Sequence, residues 1–459
     1  MSDQPCHSAL LTDLYELTMA AAYFENNFQA LATFELFVRS LPRERSFLLA
    51  AGLQQALEYL EHVSFEIEQI AYLRKLPVFA HVSDGFFDYL REFRFRGEIW
   101  GIPEGTPVFA EEPLLRVTAP IVEAQIVETF LLSTLTFQTM IASKAARVVA
   151  AANARDVIEF GTRRAHGPEA GVLAARAAYL GGCAGTSNVQ AGERFGVPIF
   201  GTLAHSFVMA YDDEGEAFTR FERLFPDNAV LLVDTYETLG AIDKIISAGL
   251  HPKSVRLDSG DLLQLSQEVR RRLDAAGLRD TRIFASGDLD EFSIADLLAR
   301  GARVDAFGVG TALATSKDAP ALSGVYKLVD VQSGAGPSSR AKFSEDKVTY
   351  PGRKQVFRFS DSDGTYTRDL IACEDESYPD TEPLLTLQMR EGRRIAPLPS
   401  LEQSRARTRE QLARIPERCR RLYAPQPYPV EFSANLQGLL RSVRERVTIQ
   451  EIQPQSGQK

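Results

Sequence analysis

Between residues 156 and 331, short apolar runs closed by a small or polar residue alternate with stretches whose apolar positions recur at helical spacing. DVIEFG (156–161) gives way to PEAGVLAARAAYL, GTSN (185–188) to VQAGERFG, and VPIFGTLAH (197–205) to SFVMAY and an acidic amphipathic stretch. AVLLVD (229–234), SVRLDSG (254–260) and TRIFASGD (281–288) each precede another helical segment, and VDAFGVG (304–310) and VYKLVDV (325–331) end the series. Measured between Gly161, Ser187, His205, Asp234, Asp258, Asp288 and Gly310, the spacings are 26, 18, 29, 24, 30 and 22 residues. That rhythm suits βα units, because parallel strands must be joined by crossovers, usually helical. Seven or eight units in series favour a TIM-like α/β barrel, regular or irregular, over a doubly wound sheet. The polar residues also gather at the carboxyl ends of the strands, where barrel active sites lie.

The flanks read differently. Residues 1–125 mix helical LLTDLYELTMAAAYF and SFLLAAGLQQALEYLE with strand-like TFELFVRSL and PLLRVTAP. After residue 331 a flexible run, QSGAGPSSR, precedes strand-like KVTY, KQVFRFS and TYTRDLIAC, with SDSDG as a turn between the last two. Neither flank makes a core alone. We therefore expect a second, α+β domain assembled from both chain ends (1–125 and 336–459) beside a catalytic barrel at 126–335. The segment from Gln403 to Arg421 carries seven arginines and reads as a helix with a solvated or subunit-contact face.

Composition narrows the function classes. The chain has 459 residues, 45% of them hydrophobic, and a net charge of −10, which gives no counterion-release attraction to nucleic acid. The start, MSDQPCHSALL, has an early aspartate and no basic n-region, so no secretory signal is expected. The charge-free stretch Thr129–Ser143 is broken by polar residues and falls short of the about 20 apolar residues a membrane span needs, so it reads as a core helix. Cys6, Cys183, Cys373 and Cys419 lie far apart and signal neither zinc nor a disulfide framework. A soluble cytoplasmic protein is expected.

Candidate chemistry sits at the strand ends. His205 closes VPIFGTLA, and a lone histidine there is usually a satisfied core residue. Asp234, closing the next run, changes that reading, because an aspartate on one ring nitrogen fixes the tautomer and stabilises the cation. A general base and a nucleophile both remain open for His205. Asp258 in RLDSGDL and Asp288 in the second Ser-Gly-Asp triplet are expected to face one polyhydroxylated ligand or to help hold a metal. Asp261 and Asp290 read as helix N-caps. FGVGTAL (307–313) exposes backbone N–H groups where barrels commonly bind phosphate. FGTRR (160–164) sets a ring beside arginine forks that suit a carboxylate or phosphate, with surface salt bridging the plainer reading for Arg164. LVDTYETLG lacks the paired acids of a phosphoribosyltransferase phosphate loop, and no Walker A, GxGxxG or HExxH pattern occurs.

In their order, TDLYELTMAAAYF, FELFVRSLP, EFGTRRAHGPEAG, GTSNV, GTLAHSFVMAY, VRLDSGDL, SGDLDE and FGVGTAL resemble the nicotinate phosphoribosyltransferases over about residues 10–360; the last hundred residues add little. The resemblance implies an ATP-dependent ligase that couples nicotinate and phosphoribosyl pyrophosphate (PRPP) to give nicotinate mononucleotide for NAD synthesis. Mg²⁺ would accompany ATP and PRPP, with no zinc and no resident metal site. A homodimer with shared active sites is implied, with no nucleic-acid or membrane partner. His205 becomes the histidine that ATP phosphorylates, oriented by Asp234. Tyr15 from a second subunit and Phe160 would sandwich the pyridine ring, and Arg163, Arg256 and Ser187 would meet its carboxylate. Asp258 and Asp288 would hold the ribose, Gly287, Gly308, Gly310 and Thr311 the phosphates, and Arg39 would contribute from the partner chain.

Ser187 carries the substrate distinction. The related nicotinamide enzyme has an aspartate there, which accepts from an amide but repels a carboxylate. Nicotinamide or quinolinate phosphoribosyltransfer on the same fold remains the nearest alternative. A barrel lyase or aldolase would want a strand-end lysine, and none of these strand ends carries one. A non-catalytic metabolite-binding protein is the remaining alternative. Which of Lys327, Lys342 and Lys347 reaches a phosphate is left open.

Overall fold

The computed structural model describes residues 8–334, 336–344 and 347–452, without the side chains of Pro337, Lys347 and residues 450–452. Cys6 and the rest of the first seven residues lie outside them. The chain divides into two units, one formed by Met140–Pro320 and the other by Met1–Thr139 together with Ala321–Lys459.

The first of these holds six short parallel strands: β1 (Asp156–Glu159), β2 (Gly185–Thr186), β3 (Val230–Leu232), β4 (Ser254–Leu257), β5 (Arg282–Ala285) and β6 (Ala306–Val309). Their order in the sheet is β2-β1-β6-β5-β4-β3. VPIFGTLAH, expected as a full strand, is an irregular extended segment between the two edges. Among the described residues its only ladder pairing is the single Thr186–Ile199 bridge. The Thr186 N–H donates to Pro198 O at 3.0 Å, the Phe200 N–H to Thr186 O at 2.9 Å, and the Leu203 N–H to Val230 O at 3.1 Å. The segment thereby joins β2 to β3 and curls the sheet into an irregular α/β barrel. Pro198 supplies no donor, which prevents a regular ladder.

Strand residues Leu231, Val255, Leu257 and Ile283 pack against Phe218, Ile242, Ile245, Val269 and Leu273 of the surrounding helices. Asp261 and Asp290 cap the helices that follow β4 and β5, accepting from the Gln264 and Ser293 N–H groups, as their positions suggested.

VYKLVDV does not join this series. It lies in a strand, Gly324–Ser333, antiparallel to Leu31–Val38 in the other unit. The connection out of β6 contains only the four-residue helix Thr311–Ala314, too little for a helical crossover. Within QSGAGPSSR, Gly336–Ser339 pairs antiparallel with this strand. Gly336 takes φ +96°, a conformation that glycine adopts without strain.

The other unit is α+β. Its seven-stranded antiparallel sheet interleaves strands from both chain ends, placing Pro113–Pro120 and Glu98–Gly101 between Leu31–Val38 and Thr386–Arg390. One apolar core joins Leu36, Leu57, Phe86 and Val117 to Tyr326, Ile371 and Leu436. SDSDG makes the expected turn, with Asp361 Oδ1 accepting from the Asp363 and Thr365 N–H groups. The arginine-rich segment forms helices Leu401–Arg414 and Glu417–Arg420, broken at Pro416. Several of its arginines donate to main-chain carbonyls: Arg407 to Glu104, Arg414 to Gly364 and Arg420 to Ile415. Thr129–Ser143 lies within the helix Glu128–Ala151, and among the described residues no helix is long and apolar enough to cross a membrane.

Glu16, in the helix Leu14–Glu25, is fully buried, and the Thr12 and Thr129 hydroxyls donate to it. Burial pushes its carboxyl up to about 7 although both hydroxyls favour the ionised form. A carboxyl whose pKa is higher folded than unfolded stabilises the fold at low pH, and that contribution is lost as pH rises through the folded value. The urea midpoint of wild type should therefore fall from pH 5 to pH 8, and Glu16→Gln should remove much of that fall.

Candidate active site

Arg256, on β4, is 8% exposed and anchors the carboxyl end of the barrel. Its Nε donates to Ser286 Oγ at 2.8 Å, Nη1 to Thr202 Oγ1 at 2.9 Å and Nη2 to Asp258 Oδ1 at 2.6 Å. One side chain thus ties the β4 end to the loop after β5 and to the irregular segment before His205. Its guanidinium carbon lies 5.7 Å from the centroid of the Phe160 ring.

Asp258 also accepts the Ser286 hydroxyl at 2.5 Å. Burial opposes its ionisation, but the Ser286 hydroxyl and the adjacent Arg256 outweigh burial and hold the carboxyl below its usual range. Its other oxygen, Oδ2, faces His205 Nε2 at 3.9 Å. His205 opens a short helix, His205–Met209, and its Nδ1 meets Thr235 Oγ1 at 3.2 Å.

The expected contact between Asp234 and His205 is not made. Asp234 Oδ2 accepts the Asp258 N–H at 3.0 Å and the Ser259 hydroxyl at 2.6 Å, while its buried Oδ1 has no protein partner. β3 and β4 are neighbours, so the carboxylate at the end of one satisfies the donor at the end of the other. The next residue, Thr235, meets the imidazole instead.

Three of the glycines permit close approach. Gly287 has φ +93°, and a Cβ there would lie 2.0 Å from Asp258 O, so the loop after β5 crosses directly over Asp258. Asp288 follows, exposed and with φ +43°. A Cβ on Gly308 would lie 2.8 Å from both the Phe160 and Phe284 rings, which sit 5.5 Å apart. A Cβ on Gly161 would lie 2.7 Å from Gly310 O, which brings the loops after β1 and β6 together. Gly310 and Thr311 begin the short helix after β6.

Arg163 and Ser187 are exposed at the ends of β1 and β2, and Arg164 is exposed beside Arg163. Tyr15 and Arg39 belong to the other unit, Tyr15 exposed on its helix and Arg39 half-buried after the strand Leu31–Val38. Lys327 and Lys342 also belong to that unit, and the side chain of Lys347 lies outside the described residues. Among the described residues no three or more His, Cys, Asp or Glu side chains converge to hold a metal.

The chain matches known proteins over most of its length. The model of the nicotinate phosphoribosyltransferase N-terminal domain matches residues 10–136, that of the quinolinate phosphoribosyl transferase C-terminal domain 141–319, and that of the nicotinate phosphoribosyltransferase C-terminal domain 378–440. A nicotinate phosphoribosyltransferase of Mycobacterium tuberculosis is 47% identical over 448 residues, covering 96% of this chain and 95% of that protein. The chain belongs to the nicotinate phosphoribosyltransferase family. The Bacillus subtilis nicotinate phosphoribosyltransferase is 42% identical over 82% of this chain and 78% of its own length. The crystal structure of human nicotinic acid phosphoribosyltransferase superposes with a TM-score of 0.83 at 31% identity, covering 94% of this chain and 99% of that one. The last hundred residues, which add little to the resemblance in motifs, include the match to the family's C-terminal domain at 378–440.

Reading the sequence missed the roles of Thr202, Thr235 and Ser286. Each stands next to or within a motif already singled out, but hydroxyl residues are too common at strand ends to mark themselves. Two outcomes follow from the geometry. Gly287→Ala combines a left-handed backbone with a main-chain clash and should destabilise by about 2 kcal/mol or more in a urea titration. Ser286→Ala removes a donor from the ionised Asp258, so NMR titration should place that carboxyl at higher pH than in wild type.

Proposed function

We propose that this nicotinate phosphoribosyltransferase transfers the phosphoribosyl group of PRPP to nicotinate in the cytoplasm, and that ATP hydrolysis is coupled through phosphorylation of His205, making it an ATP-dependent ligase. The observation that carries the reading is that Arg256, 5.7 Å from the centroid of the Phe160 ring, pairs with Asp258, whose other oxygen faces His205. A guanidinium fork, an ionised acid and a histidine in one connected cluster support it.

In this reading the pyridine ring stacks on Phe160, and its carboxylate takes up Arg256, Arg163 and Ser187. The ring nitrogen attacks the anomeric carbon, the bond to pyrophosphate breaks, and positive charge builds on the sugar. Ionised Asp258, together with Asp288, accepts from the ribose hydroxyls and stabilises that charge. Gly287, Gly308, Gly310 and Thr311 line the phosphate pocket. Asp258 Oδ2 and Asp288 are oxygen donors of the kind that would hold a Mg²⁺ ion, which when bound with the phosphate substrates would neutralise their charge. When the His205 Nδ1–H donates to Thr235, the Nε2 lone pair is free to attack the γ-phosphorus of ATP, forming an N–P bond as ADP leaves. Asp234 acts through the Asp258 backbone. Tyr15 and Arg39 complete the site from a second subunit in a homodimer.

A quinolinate reading draws on the domain match at 141–319. It is separated by its product, because quinolinate would lose CO2. Nicotinate with PRPP should give nicotinate mononucleotide, faster with ATP than without, and with little turnover of nicotinamide or quinolinate. Absence of that product with and without ATP overturns the reading. With γ-labelled ATP, wild type should acquire acid-labile label and His205→Ala should not; equal labelling of both removes the phosphohistidine.

A further inference from the structure

Arg163 and Ser187 stand on separate loops, and both side chains are exposed, so what the fold fixes between them is the relative placement of the backbone that carries them. A chain of buried or half-buried polar groups holds that backbone. The Thr186 hydroxyl donates to Glu159 Oε2 at 2.6 Å, and the Gly161 N–H donates to Glu159 Oε1. The Ser187 N–H donates to Glu159 O at 3.0 Å, and the Asn188 N–H to Thr186 Oγ1 at 3.0 Å. Asn188 Nδ2 then donates to Thr162 Oγ1 at 3.0 Å, closing the circuit next to Arg163. The side-chain oxygen of Asn188 is already used, accepting from the Ala191 N–H at 2.8 Å as the cap of helix Val189–Phe195.

The two exposed residues are thus flanked by tethers: Thr162 beside Arg163, and Thr186 and Asn188 on either side of Ser187. Glu159 and Thr186 are fully buried. Removal of water from around these bonds makes them a rigid frame.

We propose that Thr162 and Asn188 are positioning residues for the pyridine carboxylate: their hydrogen bond fixes Arg163 relative to Ser187 and thereby sets the preference for a carboxylate over an amide. The inference rests on the proposed nicotinate reaction. Among the described residues neither side chain hydrogen-bonds to the loops after β5 and β6, so the effect belongs chiefly to the pyridine substrate.

The experiment is steady-state kinetics of the full-length enzyme with nicotinate, nicotinamide and PRPP varied separately. Thr162→Val keeps the volume and removes the acceptor. Asn188→Ser keeps a capping oxygen and is too short to reach Thr162. Each should raise the KM for nicotinate about tenfold, the scale of one hydrogen bond, with the KM for PRPP and the melting temperature nearly unchanged. Preference for nicotinate over nicotinamide should fall with it. Thr162→Ser should restore wild-type values, and the double variant should be no worse than either single one. An unchanged nicotinate KM, a parallel rise in both KM values, or failure of Thr162→Ser to rescue overturns the inference and leaves the nicotinate reaction standing. A wild-type enzyme that makes no nicotinate mononucleotide overturns both.

Discussion

The carboxyl end of this barrel is organised around one buried cation. Arg256 has its guanidinium almost out of solvent, and burying a charge is costly unless it is paired and hydrogen-bonded. Asp258 supplies the opposite charge, and Thr202 and Ser286 supply acceptors from two other loops. Breaking such a pair by removing one partner typically costs about 3–5 kcal/mol, because the other charge stays buried and uncompensated. The loops are therefore held in place by an electrostatic requirement, and the shape of the site follows from it. Asp258, pinned in this way, holds Oδ2 toward His205, and its own N–H is fixed by Asp234.

Around this anchor, glycines decide how closely the remaining loops can come. Gly287 lets one loop pass over the Asp258 carbonyl, and Gly161 lets the loops after β1 and β6 meet backbone to backbone. Any side chain at these positions would hold these loops apart. The frame built on Glu159, Thr186 and Asn188 does the same work on the other side of the site with polar bonds. Two devices, missing side chains and buried hydrogen bonds, give the same result of rigid convergence.

The alternation of apolar strands and helical stretches made the barrel legible, and the strand-end residues His205, Asp258 and Arg256 do come together. Periodicity says which face of a strand is buried but names no partner. VYKLVDV has the apolar pattern of a barrel strand, yet the short connection from β6 sends it to an antiparallel sheet. Pro198 breaks the ladder of a segment whose pattern reads as a strand. Strand-end position pointed Asp234 to His205, but its neighbour Thr235 meets the imidazole while Asp234 accepts from the Asp258 N–H, a choice that position alone does not reveal. Glu159 carried a visible signal, an acid inside an apolar run, but its value depends on Thr186, which is distant in sequence.

The net charge of −10 makes binding of anionic substrates a local problem. A guanidinium has five N–H donors, and in Arg256 three are taken by Ser286, Thr202 and Asp258. The two that remain lie one on each terminal nitrogen, which is the number a carboxylate takes in a bidentate pair. A lysine would keep the charge but could not satisfy three protein acceptors and still present two donors in a plane. In the proposed reaction the same residue would therefore be a structural anchor and a substrate ligand without changing its protein contacts, which would account for an arginine rather than a lysine at this place in an acidic chain.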